Sequence, residues 1–311
     1  MEIKKKKIIL DTDNGDDIDD LFTIYLMLNS PQFEVVGIVC SYLNTPLRAR
    51  QIKHVLKLAH REDIPVFAGC GEPIRGYHDR PTSTIFWQYE DILMKNEYKP
   101  NSEDAKGLEA IDFMIESARK YQDELYICEI APECTLGRAI RKDKEAFKNT
   151  KIYIMGGAFF EKASEWNIDC DFDAARIVFE SGLNITYVGH NVTIKMLMDD
   201  TMYQKFNSYR SDDYTNYLIS ATALWKSFSK RNPMCHDPLT LLTIIYDDLC
   251  EFETKEFALV EKLEGRFSTF VPIEMKDEYK VTDKFQKVRV AKTVDVNKAF
   301  AKMRDILKID F

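Results

Sequence analysis

The sequence predicts an α/β fold: a mainly parallel central sheet flanked by helices on both faces, in an open, Rossmann-like arrangement. Three observations carry that prediction. Short apolar runs rich in β-branched residues recur along the first two thirds of the chain, and stretches with apolar residues three and four apart lie between them. The runs are also apolar almost without interruption, as strands covered on both faces must be. In order they are IIL near residue 8, FEVVGIVCSY from 33, PVFAG from 65, ELYICEIA from 124, KIYIMGGA from 151 and NITYVGHNVT from 184. The first helical stretch carries Ile18, Leu21, Phe22 and Tyr25, and the second carries Ile52, Val55, Leu56 and Ala59. Local punctuation agrees: Pro46 follows Asn44 and Thr45 at a helix start, Asp171 caps DAARIVFES with Gly182 past its end, and Asp237-Pro238 opens LTLLTIIY. From about 255 to 296 the runs FALVEKL, FSTFVPIEM and KVRVAKTVDV return to strand character, and KAFAKMRDIL closes as a helix. Residues 71–102 and 194–232 are expected to be lids or insertions over a site, because both contain polar, aromatic-dotted, weakly periodic sequence. The whole, residues 1–311, reads as one domain.

Charge and composition exclude several classes of function. With 43 Lys and Arg against 51 Asp and Glu, the formal charge is −8. Such a field repels phosphate polymers and acidic lipid, so neither nucleic acid nor membrane is expected as a partner. No stretch approaches the ~20 apolar residues of a membrane span, and Ile8 to Leu10 is far too short for a signal-peptide core. The seven cysteines are odd in number and lack CxxC spacing, which disfavours a zinc cluster and fits reduced thiols in the cytoplasm.

In an open α/β sheet, ligands bind beyond the carboxyl ends of the strands. The first such turn holds Asp11, Asp13, Asp16, Asp17, Asp19 and Asp20 within ten positions. That many like charges repel one another unless water or a cation intervenes, and a hard divalent ion such as calcium or magnesium is the natural partner for carboxylate oxygens. One or two of these acids suit a helix N-terminus or an Asx-turn at Asn14-Gly15 equally well. An EF-hand is ruled out, since Gly15 falls at the fifth loop position and Phe22 stands where the closing Glu belongs. The Asp11 and Asp13 spacing leaves a phosphatase-type turn open.

Distant segments add compatible chemistry. His236-Asp237-Pro238 offers a carboxylate and an imidazole, although Asp237 also suits a helix cap. Glu165, Trp166 and Asn167 follow the GGA turn and combine acceptor, ring and amide, as a hydroxylated ligand requires. Asn44 follows the second strand as ligand contact or cap. His54 and His60 read as packing or surface residues, and His78 and His190 stay unassigned.

Taken in this order, the segments resemble the nucleoside hydrolases, the nucleoside N-ribohydrolase family, over nearly the whole chain. The resemblance rests on Asp11-Thr12-Asp13-Asn14-Gly15, Asp19-Asp20, Asn44, PVFAG, GGA, EWN, DFDAARIVFESG, HDP and RVAKTVDVNKAF. It implies a calcium ion held by Asp13, Asp20, Asp237 and the Cys134 backbone carbonyl of the APECT turn. It further implies that the ribose 2′ and 3′ hydroxyls and an ordered, nucleophilic water complete the shell. Asp19 and Asn44 would contact those hydroxyls, with Glu165 and Asn167 on the 5′ hydroxyl and Trp166 beside them. Asp13 would take a proton from the water as the reaction passes an oxocarbenium-like transition state, and the departing base would be neutralised either by a general acid, for which His236 is the best-placed titratable candidate, or by stacking that delocalises its charge.

The resemblance implies a homodimer or homotetramer that hydrolyses ribonucleosides to base and ribose in nucleoside salvage. Asp16-Asp17 lengthens the first loop relative to the shortest family form, leaving Asp17 as an alternative to Asp19 or Asp20. Cys134-Thr135 replaces the usual Thr-Asn. Tyr77, His78, Phe86, Trp87 and Tyr89 offer an aromatic base lining, and purine or pyrimidine preference is open. A non-catalytic calcium-dependent nucleoside or pentose binder and a magnesium phosphohydrolase are the rival readings; the latter lacks a glycine-rich phosphate cradle.

Overall fold

The computed structural model describes residues 4–76, 99–161, 163–261 and 268–311. Nine strands form one sheet: β1 Lys6–Thr12, β2 Phe33–Cys40, β3 Val66–Ala68, β4 Leu125–Glu129, β5 Lys151–Met155, β6 Ile185–Val188, β7 Cys250–Glu261, β8 Ser268–Pro272 and β9 Phe285–Val294. Their spatial order is β3-β2-β1-β4-β5-β6-β9-β7-β8. The strands from β3 to β9 in that order pair in parallel, and β7 runs antiparallel to both β9 and β8. Every strand run expected from the sequence lies in this sheet.

The helices among the described residues are α1 Asp19–Asn29, α2 Thr45–Leu58, α3 Leu108–Tyr121, α4 Cys134–Lys142, α5 Trp166–Cys170, α6 Phe172–Phe179, α7 His190–Thr193, α8 Asp200–Ser208, α9 Asp213–Ser229, α10 His236–Ile245 and α11 Val296–Leu307. Alternation along β1 assigns them to two layers. Ile8 and Leu10 join an apolar cluster with Leu21 of α1, Ile52 of α2, Leu218 of α9, Leu239 of α10 and Phe300 of α11. Ile9 points the other way, into a cluster with Ile111 of α3, Leu136 of α4 and Val178 of α6. Period-two alternation thus fills two cores, which is why the strand reads as unbroken apolar sequence. None of the described helices is long and apolar enough to cross a membrane.

Residues 194–232, expected as a lid or insertion over a site, are largely helical, with Asp199 accepting from the Met202 amide at the start of α8 and Asp212 from the Thr215 amide at the start of α9. These N-caps satisfy amides that no intrahelical acceptor can reach. The helices contribute both buried and half-buried aromatic residues, so their sequence lacks a clean stripe. Of the other expected insertion, residues 77–98 lie outside the described residues, and with them Tyr77, His78, Phe86, Trp87 and Tyr89.

Candidate active site

Connections from β1 run one way across the sheet to β2 and β3, and the other way from β4 to β5 and β6. The crevice between the carboxyl ends of β1 and β4 is therefore a topological switch point, where open α/β sheets take their ligands. A cavity of about 660 Å³ opens there, with Asp13 after β1, Ile130 after β4 and Met155 at the end of β5 on its walls.

Three carboxylates gather in this cavity. Asp19 and Asp20, in the first turn of α1, and Asp237, in the first turn of α10, are buried, and one oxygen from each lies within 4.8 Å of the others. Oxygens bound across a single calcium ion stand roughly 5 Å apart, so the spacing suits a shared hard cation. None of the three makes a salt bridge among the described residues. Burial raises all three well above the ordinary carboxylate range, and repulsion from neighbouring carboxylates, Asp13 and Asp17 among them, adds to the rise. Thr12 Oγ1 donates to Asp20 at 2.5 Å, and Asp19 accepts from the His236 and Asp237 amides at 3.0 and 3.3 Å. Asp19 thereby ties α1 to the start of α10 across more than two hundred residues of chain.

The other expected residues are placed variously. Asp13 lines the same cavity without belonging to the close triad; burial pushes its carboxyl up to about 7, against the pull of the Arg48 guanidinium. Glu165, Trp166 and Asn167 also line the cavity. Glu165 caps α5, accepting from the amides of Gly157, Asn167 and Ile168 at 3.1, 2.9 and 3.1 Å. The Asn167 side-chain NH2 donates to the Ile130 and Met155 carbonyls, both at 3.2 Å, which aims its amide between β4 and β5. The Trp166 side of this wall is open, with that residue 46% exposed. His236 reaches the cavity, its Nδ1 paired with the Thr193 hydroxyl at 2.8 Å; burial, followed by the His190 and Arg231 charges, lowers it to about 4.

Two expected contacts differ in the structure. Asn44 is exposed and caps α2, accepting from the Leu47 amide at 3.3 Å, while its neighbours Tyr42 and Leu43 line the cavity. Left-handed backbone at Tyr42 and Leu43, with φ of 68° and 59°, makes the turn that carries Asn44 past the cavity. Cys134 does not line the cavity, and its carbonyl accepts from Arg138 Nη1 at 3.0 Å. It sits in the first turn of α4, where carbonyls point along the helix toward the residue four positions on.

Sequence reasoning missed several groups here. Fully buried Arg48 donates to the carbonyls of Asp13, Asn14 at 2.9 Å and Tyr42 at 2.8 Å, and pairs with Asp16 at 2.7 Å. Its signal was legible: Arg48 falls on the buried stripe of Ile52, Val55 and Leu56, where a charge needs a reason. Asp17 pairs outward with Arg231 at 2.9 Å and is not in the triad, so the lengthened loop braces two walls. Beneath the cavity, Asp11 and Glu129 face each other in the β1–β4 register, and Glu133 follows in the same turn as Ile130. All three are buried, and burial raises Asp11 and Glu133 to about 8. His190, stacked near His236, also lines the cavity. His54 packs edge-on against Tyr217 at 4.8 Å, away from this site.

A switch-point cleft with a floor of buried carboxylates defines a ligand site of the open α/β class. Residues 8–301 match the model of the family described as inosine-uridine preferring nucleoside hydrolase, and the chain belongs to that family. It is 31% identical over 263 residues to a probable uridine nucleosidase 2 of Arabidopsis thaliana, covering 79% of each chain. A pyrimidine-specific ribonucleoside hydrolase of Shigella boydii is 26% identical over 311 residues, covering 93% of this chain and 94% of the relative. Among solved structures, a plant nucleoside hydrolase superposes with a TM-score of 0.76 at 27% identity, covering 97% of this chain and 98% of the other. The inosine-uridine preferring hydrolase of Bacillus anthracis shares the fold at 18% identity and a TM-score of 0.78, over 97% and 99% of the two chains. The chain is thus an N-glycosyl hydrolase that acts on ribonucleosides.

Proposed function

We propose that the protein hydrolyses ribonucleosides in a calcium-dependent reaction, with uridine the first substrate to test and nucleoside salvage as the setting. The observation that carries the metal dependence is the triad of Asp19, Asp20 and Asp237: buried, close together and without a salt-bridge partner among the described residues. Hard oxygen donors fit calcium or magnesium better than a softer metal, and the irregular set fits calcium. Asp13, Asp20 and Asp237 would hold the ion, with Asp19 either beside them or on a ribose hydroxyl. Such an ion supplies charge that lowers the pKa of water and orients the sugar.

The chain's own residues account for the rest. Cleavage builds positive charge on the ribose, which the surrounding carboxylates stabilise. Asp13 takes the proton of the attacking water, while Glu165 and Asn167 face the 5′ hydroxyl beside Trp166. His236 borders the departing base. Uridine is put first because the plant and Shigella relatives bear uridine and pyrimidine names. Seven buried free cysteines support a reducing, cytoplasmic setting. Family likeness supports a homodimer or homotetramer, which light scattering distinguishes.

The test is reducing-sugar release from uridine, cytidine, inosine and adenosine, before and after chelation and after re-addition of calcium or magnesium. Release from at least one nucleoside is expected, lost on chelation and restored best by calcium. Release that survives exhaustive chelation overturns the metal dependence.

A further inference from the structure

We propose that His190 is the catalytic acid that protonates the departing base, and that Glu161 is its positioning residue. The assignment rests on the hydrolase reading above and deepens it. His190 begins α7, directly after β6, and its backbone amide donates to the Gly157 carbonyl at 2.8 Å. That bond joins the end of β6 to the turn after β5. A Cβ built on Gly189 would stand 2.6 Å from the same Gly157 oxygen, so the close approach needs glycine there. The segment beyond this turn is anchored by aromatic rings: Phe159 stacks on Phe270 at 4.2 Å, and Phe160 packs edge-on against Phe257 at 5.6 Å. Glu161 follows, and its carboxylate meets His190 Nδ1 at 2.7 Å.

Three features separate this imidazole from an ordinary surface histidine. It lines the same cavity as the carboxylate triad. A carboxylate on Nδ1 fixes the ring, directing Nε2 to the side away from Glu161, and no described residue occupies Nε2. The ring also lies nearly parallel to His236, at 20° and 6.0 Å between centroids, so the two imidazoles form one wall. Their partners differ: His236 Nδ1 meets a neutral hydroxyl, that of Thr193, whereas His190 meets a carboxylate. A carboxylate stabilises and orients an imidazolium, as the acid in a base–orienter pair requires.

The donating form is the imidazolium, with Nδ1–H given to Glu161 and Nε2–H facing the cavity. When the C1′–N bond breaks, its electron pair leaves with the base nitrogen. The Nε2 proton passes to the ring nitrogen or exocyclic oxygen that carries the developing charge. The oxygen of water bonds to C1′ and its proton goes to Asp13. Asp13 releases its proton to solvent, His190 takes one back, and nucleoside plus water becomes free base plus ribose.

The test compares uridine with p-nitrophenyl β-riboside, whose leaving group departs as a stable anion and needs no acid. In His190→Gln, turnover of uridine is expected to fall by ~10²–10³, and turnover of the p-nitrophenyl riboside by less than about tenfold. Glu161→Gln should show the same split at reduced size, with kcat moving and KM nearly still. Glu161 is half-buried, so this second variant reads the split independently of whether His190→Gln folds. A wild-type protein that cleaves both substrates while each variant lowers both rates equally, or neither, overturns the assignment alone. A wild-type protein that cleaves neither overturns the hydrolase reading and the assignment with it.

Discussion

The two arginines that brace the first loop contrast the floor of the cavity with its wall. Arg48 is fully buried and pairs with Asp16, whose side chain is 29% exposed; Arg231 pairs with Asp17, and the two side chains are 65% and 36% exposed. The first pair belongs to a floor where Asp19, Asp20 and Asp237 come from helix starts packed on the sheet. The second belongs to a wall made by the end of α9 and the segment after it, where Phe228 is 55% exposed. The difference teaches that the carboxylate triad is set in packed structure, while the wall beside it is exposed. An enzyme that keeps one bond-breaking chemistry and changes its substrate would vary the second region and keep the first.

The largest effect expected of a single substitution tests whether the floor is as rigid as its packing implies. Arg48→Met removes a buried cation that serves three carbonyls and a carboxylate. Breaking a buried ion pair from one side costs about 3 kcal/mol or more. Urea denaturation should show that loss, with metal affinity falling in parallel, because the loop carrying Asp13 loses its anchor. A shift of only a few tenths of a kcal/mol would mean that the loop is held by Asn14, whose side-chain NH2 donates to Gln51 at 2.8 Å, and not by the arginine.

A pH dependence separates the floor's two acidic layers. Asp11 and Glu133 are raised to about 8 by burial, above the ordinary 3.8 and 4.5 they regain when the chain unfolds. The native state then holds more protons than the unfolded state between about pH 4 and 8, so stability falls as pH rises through that window. Chelated protein should therefore melt progressively lower from pH 5 to pH 8. Calcium should flatten the part of that slope due to the upper carboxylates and leave the part due to Asp11 and Glu133. A melting temperature that rises with pH in chelator would show that these buried groups are ionised and paired in the native state.

The sequence made the fold legible because each strand is buried on both sides and each helix on one, so the two periods stand apart. The site was legible where chemistry is dense: six acids in one turn and an Asp-Pro far away announced Asp20 and Asp237. It was not legible where one residue has two uses. Asn44 has the composition of a ligand contact and of a helix cap, and only the left-handed turn at Tyr42 and Leu43 selects the cap. Cys134 reads as a turn residue, and it stands instead in the first turn of α4 with its carbonyl accepting from Arg138 Nη1. His190 carried no local signal, because its partner Glu161 lies on another turn and is brought near by strand pairing.

The smallest effect concerns the wall. Arg231→Ala breaks an exposed ion pair with Asp17 and removes a guanidinium lying over the Trp225 ring at 5.4 Å. Exposed pairs contribute about 0.2–1 kcal/mol, since two mobile side chains must be held against water and salt. Denaturation should therefore shift by less than about 1 kcal/mol, well below the loss in Arg48→Met. The guanidinium nevertheless lines the cavity beside His236, so KM for nucleosides should change, and change unequally between uridine and inosine, while kcat moves little. Equal shifts for the two bases would assign Arg231 to the ribose side. A fall in stability matching that of Arg48→Met would erase the distinction between floor and wall, since a pair this exposed could carry such weight only if the wall were packed as tightly as the sheet.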